Sequence, residues 1–182
     1  DTLYYRSMVM IQYADVIVDL QAGDTGKGKV AHALAKDYDM VLRYNGGANA
    51  GHTVYHEGKK IVTHQVPIGV LFGIPSVIGL GCVVNIQLLV EEIRDLQAYG
   101  IKTDGLIFVD KRAHVVFDYH LEEDTRDSKI GTTRQGIGPA YRDKYSRAGT
   151  RIGDLNLSSV TDFGVIDTYE LFHNKHNDWR IL

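Results

Sequence analysis

The amino-acid sequence predicts an α/β fold, in which helices flank a mostly parallel sheet and a glycine-rich phosphate loop follows the first strand. Two observations support this fold class. Short β-branched runs alternate along the chain with segments of helical periodicity, and a glycine-rich turn joins the first such run to the first helical segment. The 182 residues, 44% of them apolar, suffice for one domain with a buried core.

The first predicted unit is β-α-β. Val16–Leu20 is a short β-branched run, Gly23–Lys29 is the glycine-rich turn, and apolar residues at helical spacing begin at Val30. Met40–Tyr44 is predicted to be the second strand. A strand, a helix and a strand in this order imply parallel strands joined by a right-handed crossover.

Further elements follow the loop Asn45–Gly51. Alternating residues around an EGKK turn predict a β-hairpin, and Ser76–Leu80 and Leu106–Asp110 are predicted strands. Between these two strands, Asn85 is the predicted cap of an amphipathic helix that Gly100 closes.

Composition excludes several classes of protein. The net charge of −3 comes from 20 basic and 23 acidic residues that are well mixed, which argues against a non-specific nucleic-acid binder. No apolar run approaches the roughly 20 residues of a membrane span, so no membrane role is expected. The opening residues do not resemble a secretory signal, and the lone Cys82 cannot form an internal disulfide. A reducing, cytoplasmic location is therefore predicted.

The turn GDTGKGK is the sharpest local signal. A glycine-rich turn between a strand and a helix aims backbone N–H groups at an anion, and Gly23, Gly28 and Lys29 have the spacing of a P-loop. Val30 replaces the hydroxyl residue that would hold magnesium, so Asp24 is the obvious metal ligand. The turn is interpreted as a phosphate site; the alternative is a solvated turn whose lysines provide solubility.

A second glycine-rich loop ends in His52. The ends of neighbouring parallel strands face one crevice, so Asp24 and His52 could meet across a phosphate as a base and an imidazole donor. The alternative is a structural, hydrogen-bonding histidine. His56 lies four residues further on, but the segment between the two histidines is predicted to be extended, which argues against zinc.

Residues 124–154 are polar and glycine-rich and are predicted to form a long functional loop rather than a core element. The hydroxyls and four arginines in its second half suit another phosphate group, although a mobile basic loop has the same composition. The residues after 154 show no clear element.

Together these three segments resemble the adenylosuccinate synthetase family. The family patterns are matched by Gln21–Lys29, by Gly46–Thr53 and by Gly131–Leu155, in the same order and with the same spacing. The resemblance makes residues 11–155 a nucleotide-binding α/β domain like the N-terminal part of that family, with 156–182 as a tail of unclear assignment.

The resemblance implies a ligase of purine biosynthesis that joins IMP to L-aspartate at the expense of GTP, releasing adenylosuccinate, GDP and phosphate. Asp24 would be the catalytic base and His52 the catalytic acid, and Mg²⁺ would sit on Asp24 and the carbonyl of Gly51. It further implies a homodimer in which Arg147 reaches the neighbouring active site.

The resemblance also implies two sets of binding residues. For GTP these are Gly23, Asp24, Thr25, Gly26, Lys27, Gly28, Lys29, Gly51, His52 and Thr53. For IMP they are Asp24, Lys27, Asn49, Ala50, Gly51, His52, Thr133 and Arg147.

The chain departs from the family pattern in two ways. Ala22, Thr25 and Ala48 stand where the family usually has Trp, Glu and His, and Arg134-Gln135 replaces a more usual Gly-Arg. The chain is also much shorter than family members, and it lacks their recognisable aspartate- and guanine-binding segments. Two alternatives stay open: the phage-type relative that acts on a guanine nucleotide, and a non-catalytic nucleotide-binding module.

Overall fold

The computed structural model describes residues 13–18, 20, 26–126, 132–174 and 179–182. Its strands are β1 Tyr13–Ala14, β2 Val41–Arg43, β3 His52–His56, β4 Lys59–Thr63, β5 Ser76–Ile78, β6 Val83–Val84, β7 Ile107–Asp110, β8 His114–Val115, β9 Gly164–Ile166 and β10 Arg180–Ile181. Its α-helices are α1 Lys27–Leu34, α2 Ile86–Ala98, α3 Asp118–Arg126, α4 Ile137–Ser146 and α5 Thr168–Asn174. Three short 3-10 helices cover Ala35–Asp37, Ile68–Phe72 and Ile152–Asp154.

A parallel sheet forms the centre of the molecule. Four strands follow the order β2-β5-β7-β9, and all three pairings are parallel. β1 and β10 form a second parallel pair, which a parallel bridge from Met40 to Ile181 connects to β2. The N–H of Leu42 donates to the carbonyl of Leu182 at 2.7 Å. β10 thus lies between β1 and β2, and the prediction of an α/β fold with a mostly parallel sheet is confirmed.

Helices cover both faces of this sheet. Ile78 and Val109 belong to the main core, which also contains the apolar side of α2. Val77 and Phe108, their neighbours along β5 and β7, belong to a smaller cluster with side chains of α5. The alternation is the period of two that a strand imposes on its side chains. Among the described residues, no helix is long and apolar enough to cross a membrane.

Most predicted elements occur where the pattern placed them. β2, β5 and β7 lie within the predicted strands, and β3 and β4 form the antiparallel hairpin. The Asn85 side chain accepts from the N–H of Leu88 at 3.1 Å and caps α2 as predicted. Gly100, at φ +89°, follows the end of this helix in the left-handed region that glycine tolerates.

The first predicted strand is displaced. Val16–Leu20 was the prediction, whereas β1 is Tyr13–Ala14, and the pairing with β10 ends with the N–H of Asp15 bonded to the carbonyl of Ile181. The side chains of Val16 and Val18 are exposed. β-branched composition favours extended backbone, but the position of the paired strand decides where a ladder forms. The insertion of β10 also separates β1 from β2, so these strands are not neighbours.

The prediction of one long loop over residues 124–154 is wrong. α4 occupies its second half, and Ala140 and Ile152 are almost fully buried. α4 turns a narrow apolar side towards Val83 and Val116, and most of its other residues are polar. So few apolar residues among glycines and arginines give no clear periodic signal. After residue 154, likewise, β9, α5 and β10 are elements that the sequence pattern did not reveal.

A buried carboxylate fastens the segment after β9 to the sheet. Asp110, at the end of β7, accepts from Nε and Nη2 of Arg112 at 3.1 and 3.0 Å. It also accepts from the backbone N–H of Thr168 at 3.0 Å and from the Thr168 hydroxyl. Burial acts to raise the pKa of Asp110, but these hydrogen bonds outweigh it and hold the pKa at about 2.

Asp110→Asn is expected to lower the free energy of unfolding by about 2 kcal/mol at pH 7, because a depressed carboxyl pKa is a stabilising contribution of the ionised form. That contribution is complete above the ordinary pKa near 4 and is lost as the pH falls towards 2. Urea unfolding at pH 7 and at pH 2.5 measures it. The wild type and the variant should differ at neutral pH and converge in acid; a difference that is equal at both pH values would contradict this assignment.

Candidate functional site

A cleft of about 470 Å³ opens at the carboxyl ends of β1, β10 and β2. Its walls include residues 14–17 from the end of β1 onward, Arg43 to Gly46 from the end of β2 onward, and Leu182 after β10. The carboxyl edge of a parallel sheet is where open α/β folds bind ligands, and the volume is typical of small-molecule sites. The cleft is therefore the candidate site.

The start of α1 packs directly against His52. A Cβ added to Gly28 would lie 2.8 Å from the Cβ and 2.9 Å from the Cγ of His52, so only glycine permits this approach. One turn later, His32 Nε2 lies 3.3 Å from His56 Nδ1. α1 thus runs along β3 with its first turn beside His52. The predicted meeting of Asp24 and His52 stays a prediction, because Asp24 lies outside the described residues.

The first turn of α1 is electrostatically suited to an anion. Gly26 precedes the helix in a left-handed conformation, with φ +89° and ψ 22°. It has no side chain with which to cap the helix itself, and the first turn contains no acidic residue but holds Lys27 and Lys29. The positive end of the helix and two lysines together favour a phosphate or carboxylate.

Arg43 shapes the loop between β2 and β3. Its Nε donates to the carbonyl of Asn45 at 3.2 Å, and its Nη2 donates to the carbonyl of Gly47 at 2.7 Å. Its Nη1 donates to the carbonyl of His64 at the end of the hairpin. One guanidinium therefore connects the start of this loop to His64, just after β4. The same loop contains Asn49, which lines the cleft.

Glu92 holds the part of the cleft wall that Val66 forms. Its carboxylate accepts from the backbone N–H groups of His64, Gln65 and Val66 at 2.8, 2.8 and 3.1 Å. Burial raises the pKa of Glu92, and the three donors act against that rise. Gln65 exchanges two hydrogen bonds of 2.9 Å with the backbone of Asn85. The wall at Val66 is thereby tied to α2.

The structure brings some of the predicted site residues together and separates others. Those that line the cleft are Lys27, Gly28, Asn49, Ala50 and His52. Gly26 and Lys29 flank them on α1, and Gly51 and Thr53 are the chain neighbours of His52. Gly23, Asp24 and Thr25 lie outside the described residues, so the structure does not test the predicted metal ligand or base.

Thr133 and Arg147 lie away from these residues, at the two ends of α4. Thr133 is exposed just before the helix, and neither residue is among the described residues that line the cleft. Arg147 ends α4 with a left-handed φ of +65°, and the N–H groups of Ala148 and Gly149 both donate to the carbonyl of Asp143 at 2.9 Å. This turn leaves the Arg147 side chain on the surface.

Sequence reasoning missed Arg43 and Glu92, which support the backbone around the cleft, although each left a signal. Arg43 is a cation inside an otherwise apolar strand segment, at the carboxyl end where ligands bind. Glu92 falls three residues after Leu89 and four before Leu96, so it is an acid within the apolar stripe of α2. A charge in a buried stripe implies a specific polar partner.

Gly28→Ala is expected to weaken the binding of inorganic triphosphate, used as an anionic probe of the helix end, by about tenfold or more. The added Cβ must displace His52 or the first turn of α1 by several tenths of an ångström, and polar sites are sensitive to such shifts. Isothermal titration with inorganic triphosphate measures the affinity. Gly138→Ala is the matched control, since Gly138 also lies in the first turn of a helix and a Cβ there meets nothing within 4 Å. Equal affinity in both variants would contradict the close packing of Gly28 on His52.

Comparison with known proteins agrees with this geometry. The model of the family described as adenylosuccinate synthetase matches residues 16–176. The adenylosuccinate synthetase of Chlorobium phaeobacteroides is 46% identical in an alignment of 152 residues that covers 80% of this chain and 35% of the relative. That of Helicobacter pylori strain Shi470 is 46% identical in an alignment of 181 residues that covers 92% of this chain and 43% of the relative.

Two solved structures are also similar. Fully ligated adenylosuccinate synthetase from Plasmodium falciparum has a TM-score of 0.67 and 39% identity, with 80% of this chain and 35% of that chain covered. The succinoaminodeoxyadenylate synthetase of cyanophage S-2L, bound to dGMP and to dATP as an energy donor, has a TM-score of 0.71 and 27% identity, with 94% and 50% covered. The chain spans half or less of the length of each of these relatives. By the extent of the family match and the identity to these relatives, the chain belongs to the adenylosuccinate synthetase family.

Proposed function

We propose that this chain carries the nucleotide-binding part of a ligase that joins IMP to L-aspartate at the expense of GTP, releasing adenylosuccinate, GDP and phosphate. The observation that supports it most is the packing of Gly28 on His52, because it sets an anion-binding helix end beside an imidazole in one cleft. Family membership supplies the reaction class.

The reaction proceeds in two steps. Asp24 takes the proton from N1 of the purine, and the 6-oxygen attacks the γ-phosphoryl group of GTP, with GDP leaving. His52 donates to the transferring phosphoryl group and offsets its charge. The amine of L-aspartate then displaces the 6-phosphate, forming the C–N bond and releasing phosphate. Phosphoryl transfer depends mainly on positioning and charge neutralisation, which a helix end, lysines and an imidazole provide.

The two nucleotides have overlapping sets of binding residues. GTP is held by the turn Gly23–Lys29 and by Gly51–Thr53. IMP is held by Asp24 and Lys27, by the Asn49–His52 segment, by Thr133 before α4 and by Arg147 at its end. Since Arg147 is exposed and is not among the described residues that line the cleft, it serves the site of a second copy in a homodimer rather than its own.

Mg²⁺ fits the donor set at this place. The carboxylate of Asp24 and the main-chain carbonyl of Gly51 would hold the ion, and both are oxygen ligands of the kind that Mg²⁺ prefers. The described residues contain no group of three or more acidic, histidine or cysteine side chains close enough to hold a metal by themselves. When bound, the ion neutralises charge on the phosphate oxygens of GTP.

The free thiol of Cys82 supports the proposal of a cytoplasmic location. Cys82 is free and buried, and burial raises the pKa of its thiol to about 11, which keeps it protonated and unreactive. Such a thiol is ordinary for a protein of a reducing compartment.

The guanine-nucleotide reaction is the second candidate. It is favoured by the likeness to the cyanophage S-2L enzyme, whose alignment covers 94% of this chain. In that reaction dGMP takes the place of IMP as acceptor, and dATP takes the place of GTP as donor. Asp24 favours IMP, whereas Ala22 and Thr25 depart from the usual pattern of the IMP-specific enzymes.

An absorbance assay for adenylosuccinate tests the proposal. One reaction contains the chain, GTP, IMP, L-aspartate and Mg²⁺, and a parallel reaction contains dATP and dGMP in place of GTP and IMP. Product from IMP is the expected result. Product from dGMP alone would establish the second candidate. A folded chain that binds nucleotides and forms neither product would contradict ligation and identify a non-catalytic binding module.

A further inference from the structure

Tyr141 of α4 reaches the loop between β2 and β3 from the far side of the cleft. Its hydroxyl accepts from the N–H of Gly46 at 2.7 Å and donates to the carbonyl of Gly81 at 3.0 Å. The side chain is half-buried, and burial raises the pKa of its phenol, so the hydroxyl keeps the proton that it donates. One hydroxyl thus joins two backbone segments that are far apart in sequence.

The contact falls at two glycines of the loop that pack closely against their surroundings. Gly46 has a φ of +84°, which favours glycine, and its carbonyl accepts from the N–H of Val83 at 3.0 Å. Next to it, a Cβ on Gly47 would lie 2.5 Å from Cδ1 of Ile137 and 2.8 Å from the carbonyl oxygen of Val83. Both polar groups of Gly46 are therefore bonded, and the Tyr141 hydroxyl that accepts from its N–H also lies 3.4 Å from its carbonyl oxygen.

A second residue of α4 contacts the turn that contains Gly81. Lys144 donates from Nζ to the carbonyl of Leu80 at 2.6 Å, and this ammonium also lies 5.7 Å from the centre of the Tyr141 ring. α4 is thus fastened to the Leu80–Gly81 turn by two neighbouring side chains. On the cleft side, Arg43 holds the loop carbonyls of Asn45 and Gly47.

We propose that Tyr141 is a positioning residue of the candidate site. It fixes Gly46 at the root of the loop, so that Asn49, Ala50 and His52 at the end of the loop keep their places along the cleft. Tyr141 does not line the cleft itself, and its effect on a ligand passes through the loop backbone. The role in nucleotide binding rests on the proposed function, whereas the bond to Gly46 does not.

Tyr141→Phe tests the proposal in two independent measurements on the full chain. The variant keeps the ring and removes the two hydrogen bonds, and Tyr145→Phe is the matched control. Tyr145 lies one turn further along α4, stacks on Tyr141 with ring centres 6.0 Å apart, and is 77% exposed. Amide hydrogen exchange and the ¹⁵N–¹H signal of Gly46 report on the loop, and titration with IMP reports on the site.

In Tyr141→Phe we expect the Gly46 amide to exchange at least about fivefold faster and its signal to shift, because a half-buried N–H loses its acceptor. IMP should bind about tenfold more weakly, while its binding to Tyr145→Phe stays at the wild-type value. Unchanged Gly46 exchange would overturn the proposal, and so would faster exchange with unchanged IMP affinity. If the wild type itself fails to bind IMP, the proposed function fails, and the Gly46 exchange still decides the Tyr141 contact.

Discussion

Replacing Asp24 or His52 with asparagine is expected to reduce the rate of adenylosuccinate formation by about 10²- to 10⁴-fold, the usual contribution of a positioned acid or base. Asparagine keeps the size of the Asp24 side chain but cannot accept the purine proton. At position 52, asparagine can still donate a hydrogen bond, but it cannot act as the acid of the proposed reaction. Both variants should fold, since each change conserves a polar side chain of similar or smaller size.

Steady-state assays of the two variants provide the measurement, with Asp104→Asn as the control. Asp104 is an exposed acid that does not belong to the cleft lining, and its variant should retain the wild-type rate. The kinetic constants also distinguish a role in the chemical step from a role in binding IMP. Each variant should lower kcat far more than it raises the KM for IMP. Wild-type turnover in either variant would show that the residue is not part of the chemistry.

Gly81→Ala is expected to lower the free energy of unfolding by about 3 kcal/mol or more, at the upper end of what overpacking costs. A Cβ at this position would lie 1.8 Å from the carbonyl oxygen and 3.1 Å from the carbonyl carbon of Tyr44. Both atoms are backbone, so no flexible side chain can give way. Either the end of β2 or the turn after β5 must move, and the loop that begins at Asn45 moves with it.

Denaturant unfolding of Gly81→Ala measures this cost, with Gly138→Ala again as the control. Gly138 lies in α4 with open space around it, and alanine is the better helix former, so the control should be as stable as the wild type or slightly more stable. If Gly81→Ala unfolded at the wild-type denaturant concentration, the close approach of the two segments would be disproved.

The elements that depend on neighbouring residues could be predicted from the sequence. Alternation around the EGKK turn located the hairpin, and Asn85 together with the apolar stripe located α2, because turn chemistry and helix capping are properties of neighbouring residues. The position of β10 was beyond such reasoning. Arg180 and Ile181 have no distinctive pattern, and they become a strand only because β1 and β2 offer them backbone partners from far away in the chain.

The candidate site divides in the same way. The glycine turn and the loop before His52 could be found as motifs, and the structure places Gly28 of the first beside His52 at the end of the second. The supports of the site could not be found so easily. Tyr141 acts through a single hydroxyl on Gly46, 95 residues away in sequence. Nothing near Tyr141 in the sequence distinguishes that contact from an ordinary aromatic residue on a helix.

The most direct test of the central claim is to map IMP onto the chain by the shifts of its backbone amide signals. We expect saturable shifts that are largest at Lys27, Gly28, Asn49, Ala50 and His52, which line the cleft at the carboxyl edge of the sheet. Shifts confined to other surfaces, or none at millimolar IMP with the chain folded, would contradict the assignment of this cleft as a purine-nucleotide site.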